Sequence, residues 1–429
     1  MAPQYPEATD GVRLEGVYDL LADPEGHFGH AKVGEDLRSD EVIQASRLIA
    51  AALARRRQAK NFCAGPAHIP TDVMLQLCVD MLDYEDTGIG IHEMSHRDVG
   101  GPVQNCMEAT CNLLKQLLAV PDNYELLLMQ GGAHAQFAAV AMNLLRGHKK
   151  ADYIDGGFWS DRARTEAAKY CDARLVPGVR KNAEGKLEYI PPSEWDLSPD
   201  AGYVHICANE TISGLEFLED PELPDNVRRP LVGDFTSTLL SRPVDISKYG
   251  CIYASGGKNL GPAGICVVIV RKDLIGHELP ITPNMMSYAV FANTSPIPNV
   301  YNTPPLSAVR AIQLCCKKAI EHGGLSKCEE RAVRLSTRFY KAIADSNGFY
   351  SVIAAPKWGS RTTIPFRIRT GDKELEDQFF KEAEAAHLHQ TYGHHTVGGL
   401  RVCMYNAVPE ESVTHLISFM EAFQARYNI

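Results

Sequence analysis

The chain has 429 residues, 45% hydrophobic and 22% charged, a composition typical of soluble globular protein and a length that allows two domains and a large core. A formal charge of −10 argues against a nucleic-acid surface, no run of 18 apolar residues is present to cross a membrane, and the start Met1–Glu7 lacks the basic and apolar regions of a secretory signal. The 12 cysteines are scattered without a Cys-x-x-Cys pair, and Cys78, Cys111, Cys207 and Cys266 lie in apolar runs. Reduced, buried thiols of a cytoplasmic protein are therefore expected, with no metal site.

Residues 1–60 stand apart. Residues 1–38 are polar, rich in Asp, Glu, Gly and Pro, and without periodicity. A helix is predicted from Ser39, which can cap it; Asp40 and Glu41 suit its first turn and Arg55, Arg56 and Arg57 its last. Val42, Ile43, Ser46, Ile49, Ala52 and Leu53 fall on one face of it. Acidic residues outnumber basic ones in this extension, which argues against a transit peptide and for a docked helix without a catalytic role.

From about residue 71 to 330, apolar strand-like runs alternate with helical patterns. Met107, Cys111, Leu114 and Leu118 mark one helix face; Ala135, Ala138, Ala139, Met142 and Leu145 mark another. This alternation predicts an α/β fold, with a largely parallel sheet covered by helices on both faces. Beyond Gly323-Gly324 a helix through Cys328–Leu335 leads into a smaller α+β region with strands at Phe349–Ile353 and Thr363–Ile368. The expected division is an extension (1–60), a large domain (61–330) and a small C-terminal domain (331–429).

Four segments carry chemistry, each with a plainer alternative. Leu126–Met129 reads as a strand that runs through Gln130 into the turn Gly131-Gly132 and a helix start; such a turn either cradles a phosphate or only reverses the chain. Trp159, after Gly156-Gly157, either stacks on an aromatic group or fills the core. Leu231–Gly233 is a short apolar run that delivers Asp234 at a strand's carboxyl end, where ligands bind in open α/β sheets; Asp there is also a common turn residue. Lys258 stands between the runs Gly250–Ala254 and Ile265–Val270. It is either a surface lysine in a hairpin loop or an amine whose burial lowers its pKa and makes it a nucleophile. A strand-end Asp followed by a strand-end Lys suits pyridoxal phosphate, with the amine on the aldehyde and the carboxylate on the pyridine nitrogen.

Together with Asn61–Ala67, Glu93–Arg97, Gln130–Ala133, Asn209–Gly214, Ser241–Asp245, Lys258–Gly264, Asn302–Pro305, Gly398–Arg401 and Tyr405–Ala407, these segments make the chain resemble the phosphoserine aminotransferases. That group belongs to class V of the fold-type I pyridoxal-phosphate enzymes. The resemblance runs from about Asn61 to Tyr427. It implies a large domain built on a mostly parallel, seven-stranded sheet, a smaller α+β C-terminal domain to which the N-terminal segment contributes, and a homodimer with shared active sites. It implies that Lys258 anchors pyridoxal 5′-phosphate and shuttles the substrate proton, that Asp234 pairs with the ring nitrogen, that Trp159 stacks on the ring, and that Thr211 bonds the ring hydroxyl. Ala133 and His134 would offer backbone N–H groups to the phosphate, with Asn302 and Thr303 reaching it from the other subunit. Arg401 would bind the substrate carboxylate, a bidentate task suited to guanidinium. His96, Arg97, His394 and His395 would bind the distal phosphate.

Two positions depart from the pattern. His395 stands where the family has Arg, and a histidine is neutral through much of the range in which arginine stays charged. Gly257 stands where the family has Gln, which removes one donor to the cofactor phosphate. The function so implied is transamination between glutamate and 3-phosphohydroxypyruvate in serine biosynthesis. The alternatives are a class-V aminotransferase for another keto acid and a catalytically decayed cofactor-binding protein.

Overall fold

The computed structural model describes residues 40–428; Ser39, the predicted helix cap, lies outside them. The first elements are α1 (Asp40–Gln58), β1 (Lys60–Asn61), α2 (Thr71–Asp80) and α3 (Pro102–Leu117). The central body follows: β2 (Tyr124–Gln130), α4 (Gly132–Leu144), β3 (Lys150–Asp155), α5 (Phe158–Ala167), β4 (Asp172–Pro177), β5 (Val179–Lys181), β6 (Leu187–Tyr189), β7 (Ala201–Cys207), β8 (Asn209–Glu210), β9 (Leu215–Glu216), β10 (Leu231–Asp234), β11 (Cys251–Ser255) and β12 (Ile265–Arg271). The chain ends with α6 (Tyr288–Ala292), α7 (Leu306–Glu321), α8 (Leu325–Asp345), β13 (Tyr350–Ser351), β14 (Thr363–Ile368), α9 (Lys373–Ala385), β15 (Leu388–His389), β16 (Leu400–Cys403) and α10 (Glu410–Tyr427).

A seven-stranded sheet in the order β2-β12-β11-β10-β7-β3-β4 forms the centre, and β12 alone runs against its neighbours. Every residue of β7 and β10 is buried, as expected for parallel strands covered on both faces. Successive strand residues point to opposite sides. Leu126, Leu128, Val204, Ile206 and Ile252 therefore pack with α3 and α7 on one face. Leu127, Met129, Tyr153, Tyr203, Val232 and Tyr253 pack with α4, α5 and α6 on the other.

Helix α4 differs from its predicted single apolar face: Gln136–Leu144 are all buried. The segment around α6 covers its outer side, where Asn143 Nδ2 donates to the Met286 carbonyl (2.8 Å) and Asn143 Oδ1 accepts from the Tyr288 N–H (2.9 Å). Helix α8 buries Leu325, Cys328, Ala332, Leu335, Ser336, Phe339 and Ile343, the three-to-four spacing of a helix with one covered face. With α9, α10 and the antiparallel sheet β13-β14-β16 it encloses a further core. Phe62 belongs to that core because β1 pairs in parallel with β15.

In α1, Ile43, Ser46, Ile49, Leu53 and Arg56 are half-buried; Ala52, predicted on this face, is exposed. All twelve cysteines are free thiols, and nine are buried. Cys78 departs from the expectation: it lies on the exposed side of α2, whose covered residues are Val73, Leu75, Leu77 and Asp80. Among the described residues no helix is long and apolar enough to cross a membrane.

Candidate active site

Five strands of the central sheet deliver side chains or turns to one crevice at their carboxyl ends, the usual ligand position of an open α/β sheet. After β2 the chain turns through Gly131 (φ 94°) and Gly132 (φ 65°). A Cβ at Gly131 would stand 2.6 Å from that of Ala135, and one at Gly132 would stand 3.0 Å from Ser255 Oγ, so the turn requires glycine. The hydrogen-bond ladder of α4 begins with the Ala135 N–H on the Gly131 carbonyl (3.3 Å). The earlier N–H groups, those of Ala133 and His134 included, precede that ladder, the position at which a helix start can receive an anion.

Trp159 sits in the first turn of α5 and is held twice. Its indole N–H donates to the Thr211 hydroxyl (2.9 Å), and its backbone N–H donates to Glu210 Oε2 (3.0 Å). Glu210 Oε1 also accepts from the Ser160 N–H (2.8 Å), so one carboxylate caps the helix that carries the tryptophan. Glu210 is fully buried. Burial pushes its carboxyl up to about 7, against the pull of those N–H donors. His134 meets the Trp159 ring edge-on at 6.0 Å.

Asp234 is buried at the end of β10, and its Oδ1 accepts from the Thr236 N–H (2.9 Å). Burial raises its pKa; the Thr236 bonds, the nearby Lys258 and the Tyr253 hydroxyl pull it back down. Lys258 lies beyond β11 and is half-buried. Burial lowers its pKa, the Asp234 carboxylate opposes this, and Arg401 adds to the lowering. One wall around Lys258 is the segment after β1: a Cβ at Gly65 would stand 3.5 Å from Lys258 Cε, and the Ala67 N–H donates to the Gly257 carbonyl (2.8 Å). The Tyr405 ring centroid is 6.0 Å from Lys258 Nζ. Arg401, on β16, donates from Nη1 to the Thr211 carbonyl (3.4 Å), which brings its guanidinium to the same crevice.

These residues fit a pyridoxal phosphate: a glycine turn that a Cβ would fill, N–H groups ahead of a helix ladder, a half-buried amine, a buried carboxylate and a tryptophan held by its indole and its backbone N–H. The comparisons agree. Residues 60–416 match the family model for class-V aminotransferases. A phosphoserine aminotransferase of Hahella chejuensis is 43% identical over 367 residues, which span 85% of this chain and 98% of that protein. The chloroplastic phosphoserine aminotransferase 2 of Arabidopsis thaliana is 40% identical over 369 residues, 86% of this chain and 85% of the relative. Among solved structures, phosphoserine aminotransferase from Bacillus circulans subsp. alkalophilus superposes with a TM-score of 0.79 at 35% identity, covering 86% of this chain and 99% of its own. The pyridoxal-phosphate-bound enzyme from Trichomonas vaginalis gives 0.78 at 33% identity over 85% and 99%.

This chain belongs to the class-V aminotransferases.

In this aminotransferase the sequence-predicted residues fall into two sets. Ala133, His134, Trp159, Thr211, Asp234, Lys258 and Arg401 converge on the crevice. His394 joins them, its ring 5.2 Å from Phe158 and 6.5 Å from Trp159, and its Nδ1 bonds Thr396 Oγ1 (2.7 Å). Burial lowers the pKa of His394, and His395 and Arg401 add to the effect. His395 is exposed, with its ring 4.2 Å from that of His394.

His96 is half-buried and Arg97 exposed in the turn at Glu93–Arg97; among the described residues no hydrogen bond joins either side chain to the crevice. Asn302 and Thr303 lie at the end of β2 of their own chain, where Gln130 Nε2 donates to Asn302 Oδ1 (3.0 Å) and to the Thr303 carbonyl (3.1 Å).

Sequence reasoning gave no individual role to Glu210 or Gly65, and gave Arg56 only a place in the last turn of the N-terminal helix. The signal for Glu210 was a carboxylate directly before Thr211 in a run of otherwise uncharged residues. Arg56 ties the extension to the lysine's wall: its guanidinium donates to Thr71 Oγ1 (3.0 Å) and to the Ile69 carbonyl (2.5 Å). A cavity of about 400 Å³ reaches Lys258 and Asn259 and runs between α2, α7 and α8, with His68, Lys318, His322 and Arg331 on its sides. Lys318 there is paired with Asp72 (2.6 Å), and Arg331 donates to the Val408 carbonyl.

Proposed function

We propose that this aminotransferase moves an amino group between glutamate and 3-phosphohydroxypyruvate, giving O-phospho-L-serine and 2-oxoglutarate in serine biosynthesis. The observation that carries the reading is the meeting of Lys258, Asp234 and Arg401 in one crevice, where Lys258 and Asp234 act on each other and Arg401 acts on Lys258. The relatives' shared name, at about two-fifths identity, supplies the substrate class.

Bound here, pyridoxal phosphate supplies an aldehyde that captures amines and a ring that accepts the electrons released at the substrate's α-carbon. The chain's own groups do the rest. Lys258, with its pKa lowered by burial, is neutral often enough to act as a nucleophile and a base; its Nζ takes the α-proton of the amino donor and returns a proton to the α-carbon of the acceptor. Asp234 would keep a proton on the ring nitrogen. Trp159, held through Thr211 and Glu210, would support the ring, and the N–H groups of Ala133 and His134 would hold the phosphate. Arg401 grips the α-carboxylate with a planar fork. His394 and His395, with His96 and Arg97, take the distal phosphate.

We read the active unit as a homodimer in which His96, Arg97, Asn302 and Thr303 complete a site across the subunit boundary; the exposed position of Arg97, with no hydrogen bond to its own crevice, suits that reading. We also read residues 61–330 as a cofactor-binding domain and 331–429 as a small domain with its own core, and the protein as cytoplasmic, although the Arabidopsis relative is chloroplastic by name. His395, where the resemblance implies Arg, favours a second reading: a class-V aminotransferase for a non-phosphorylated keto acid. Amino-donor half-reactions followed by the cofactor's absorbance separate the two. Phosphoserine should react and serine and alanine should not; equal reaction of all three would establish the second reading.

A further inference from the structure

Behind Asp234 the sheet carries a chain of buried polar groups that the reaction outlined above does not use. Asp234 and Tyr253 are paired in register on adjacent parallel strands, so their side chains share one face. His205 lies on that face too, opposite Val232 of β10. Its Nε2 is 2.9 Å from the Tyr253 hydroxyl, and both residues are buried. Tyr153 stacks on the imidazole (centroids 4.7 Å apart, 29° between planes) and fixes its orientation. Tyr253 stands beside Asp234 in the sheet register, and its hydroxyl helps to hold the pKa of the Asp234 carboxyl down.

The direction of the hydrogen bonds follows from what is left without a partner. Buried His205 is neutral, its pKa held at about 3 by burial, so its ring carries one N–H. His205 Nδ1 is buried and has no partner. Were the proton on Nδ1, a buried donor would be orphaned and the tyrosine proton would point at the imidazole, away from Asp234. With the proton on Nε2, only an acceptor lone pair is orphaned and the tyrosine proton meets a carboxylate. An orphaned N–H is the rarer case, and a bond to an ionised acceptor is the stronger one.

We propose that Tyr253 and His205 are positioning residues for the reaction, a relay in which His205 Nε2–H donates to the Tyr253 hydroxyl and that hydroxyl donates to Asp234, so that the carboxylate stays ionised and aimed at the ring nitrogen. The proposal rests on the cofactor role proposed for Asp234. Other titratable groups whose charges act on Asp234 or feel it are Lys258, Glu210, Cys207 and Cys266; none of them donates into the relay.

The test uses the full-length holoenzyme loaded with pyridoxal phosphate labelled with ¹⁵N in the ring, recorded by NMR without substrate. The wild-type resonance should sit at the pyridinium position. In Tyr253→Phe, which removes one hydroxyl and no carbon, the carboxylate becomes more basic and draws the shared proton to itself. The resonance should then move toward neutral pyridine, by a change of about ten- to a hundredfold in the ratio of the two proton positions. His205→Gln keeps an amide N–H donor and should stay close to wild type, whereas His205→Leu should shift in the same sense as Tyr253→Phe.

A weakened hold on the cofactor with the resonance unmoved would make Tyr253 a packing residue and overturn the relay; an unmoved resonance in His205→Leu would remove His205 from it. Because no substrate is present, a wrong keto-acid assignment leaves the spectra unchanged. A wild-type resonance at the neutral position would instead overturn the role of Asp234 and the relay together.

Discussion

Asp234, Thr211, Trp159 and Lys258 come from four different strand ends, yet the register of one sheet places them together: β10 lies between β7 and β11, with Asp234 opposite Cys207 on one side and Tyr253 on the other. The residues assigned to the distal phosphate have no such frame. His394 and His395 lie in the connection between β15 and β16, and Arg97 is exposed in a turn. A sheet fixes relative positions to within its hydrogen-bond spacing, whereas a turn takes its final place from whatever packs on it. The residues proposed for the shared chemistry are thus built on the sheet, and those proposed to select the substrate are built on its connections.

Substitutions should separate the two regions, beginning with the crevice. Lys258→Ala removes the covalent anchor and the base together, and turnover should fall by several orders of magnitude. Borohydride reduction of the wild type followed by peptide mapping should place the cofactor on Lys258; labelling of another lysine would end the assignment. Asp234→Ala should retain some cofactor but slow the glutamate half-reaction by roughly a hundred- to a thousandfold, the scale of removing one preorganised electrostatic partner. A rate near that of wild type would show that the ring nitrogen needs no carboxylate here.

Next comes the distal arm. Arg97→Ala should raise the KM for phosphoserine about ten- to a hundredfold, the worth of a charge-assisted hydrogen bond, and leave the KM for glutamate nearly unchanged. Equal losses for both substrates would erase the distinction between the two regions and favour the non-phosphorylated reading.

The same contrast decides what could be read from the sequence. Asp234 and Lys258 were legible because an apolar run stops at or near each of them, and the Gly131-Gly132 turn because a glycine pair ends an apolar run; the structure adds the reason, a positive φ at both positions. Tyr253 and His205 were not legible. Each lies inside an apolar strand, where burial is the expected fate of any aromatic residue, and only the pairing of β10 with its neighbours brings them to Asp234. The covered outer side of α4 also escaped notice, since it depends on Asn143 meeting Met286 and Tyr288 nearly 150 residues later. For α1 the covered face was visible as a periodicity, but the contact of Arg56 with Ile69 and Thr71 was not, because one arginine of three in the last turn had to be chosen by tertiary packing.

The smallest expected effect concerns the histidine pair. Burial, His395 and Arg401 all hold the pKa of His394 below the ordinary histidine value of about 6.5, so His394 is neutral in the free enzyme at neutral pH. A phosphate brought against it raises that pKa. Protonation and binding are then linked: the stabilisation is complete below the free-enzyme pKa and is lost as pH rises through the pKa of the complex. Affinity for phosphoserine should therefore fall by about three- to tenfold as pH rises from about 6 to about 8, by titration of the holoenzyme. The second ionisation of the phosphate, near pH 6, works in the opposite direction and sets the baseline to be subtracted. His395→Arg places a permanent charge beside His394. It should tighten phosphoserine and flatten the profile, since the bound anion then has a partner that does not titrate. If His395→Arg tightened phosphoserine but kept the full slope, His394 alone would carry the pH dependence. If it did neither, the pair would lie outside the phosphate's reach, and the turn between β15 and β16 would have to move before substrate binds.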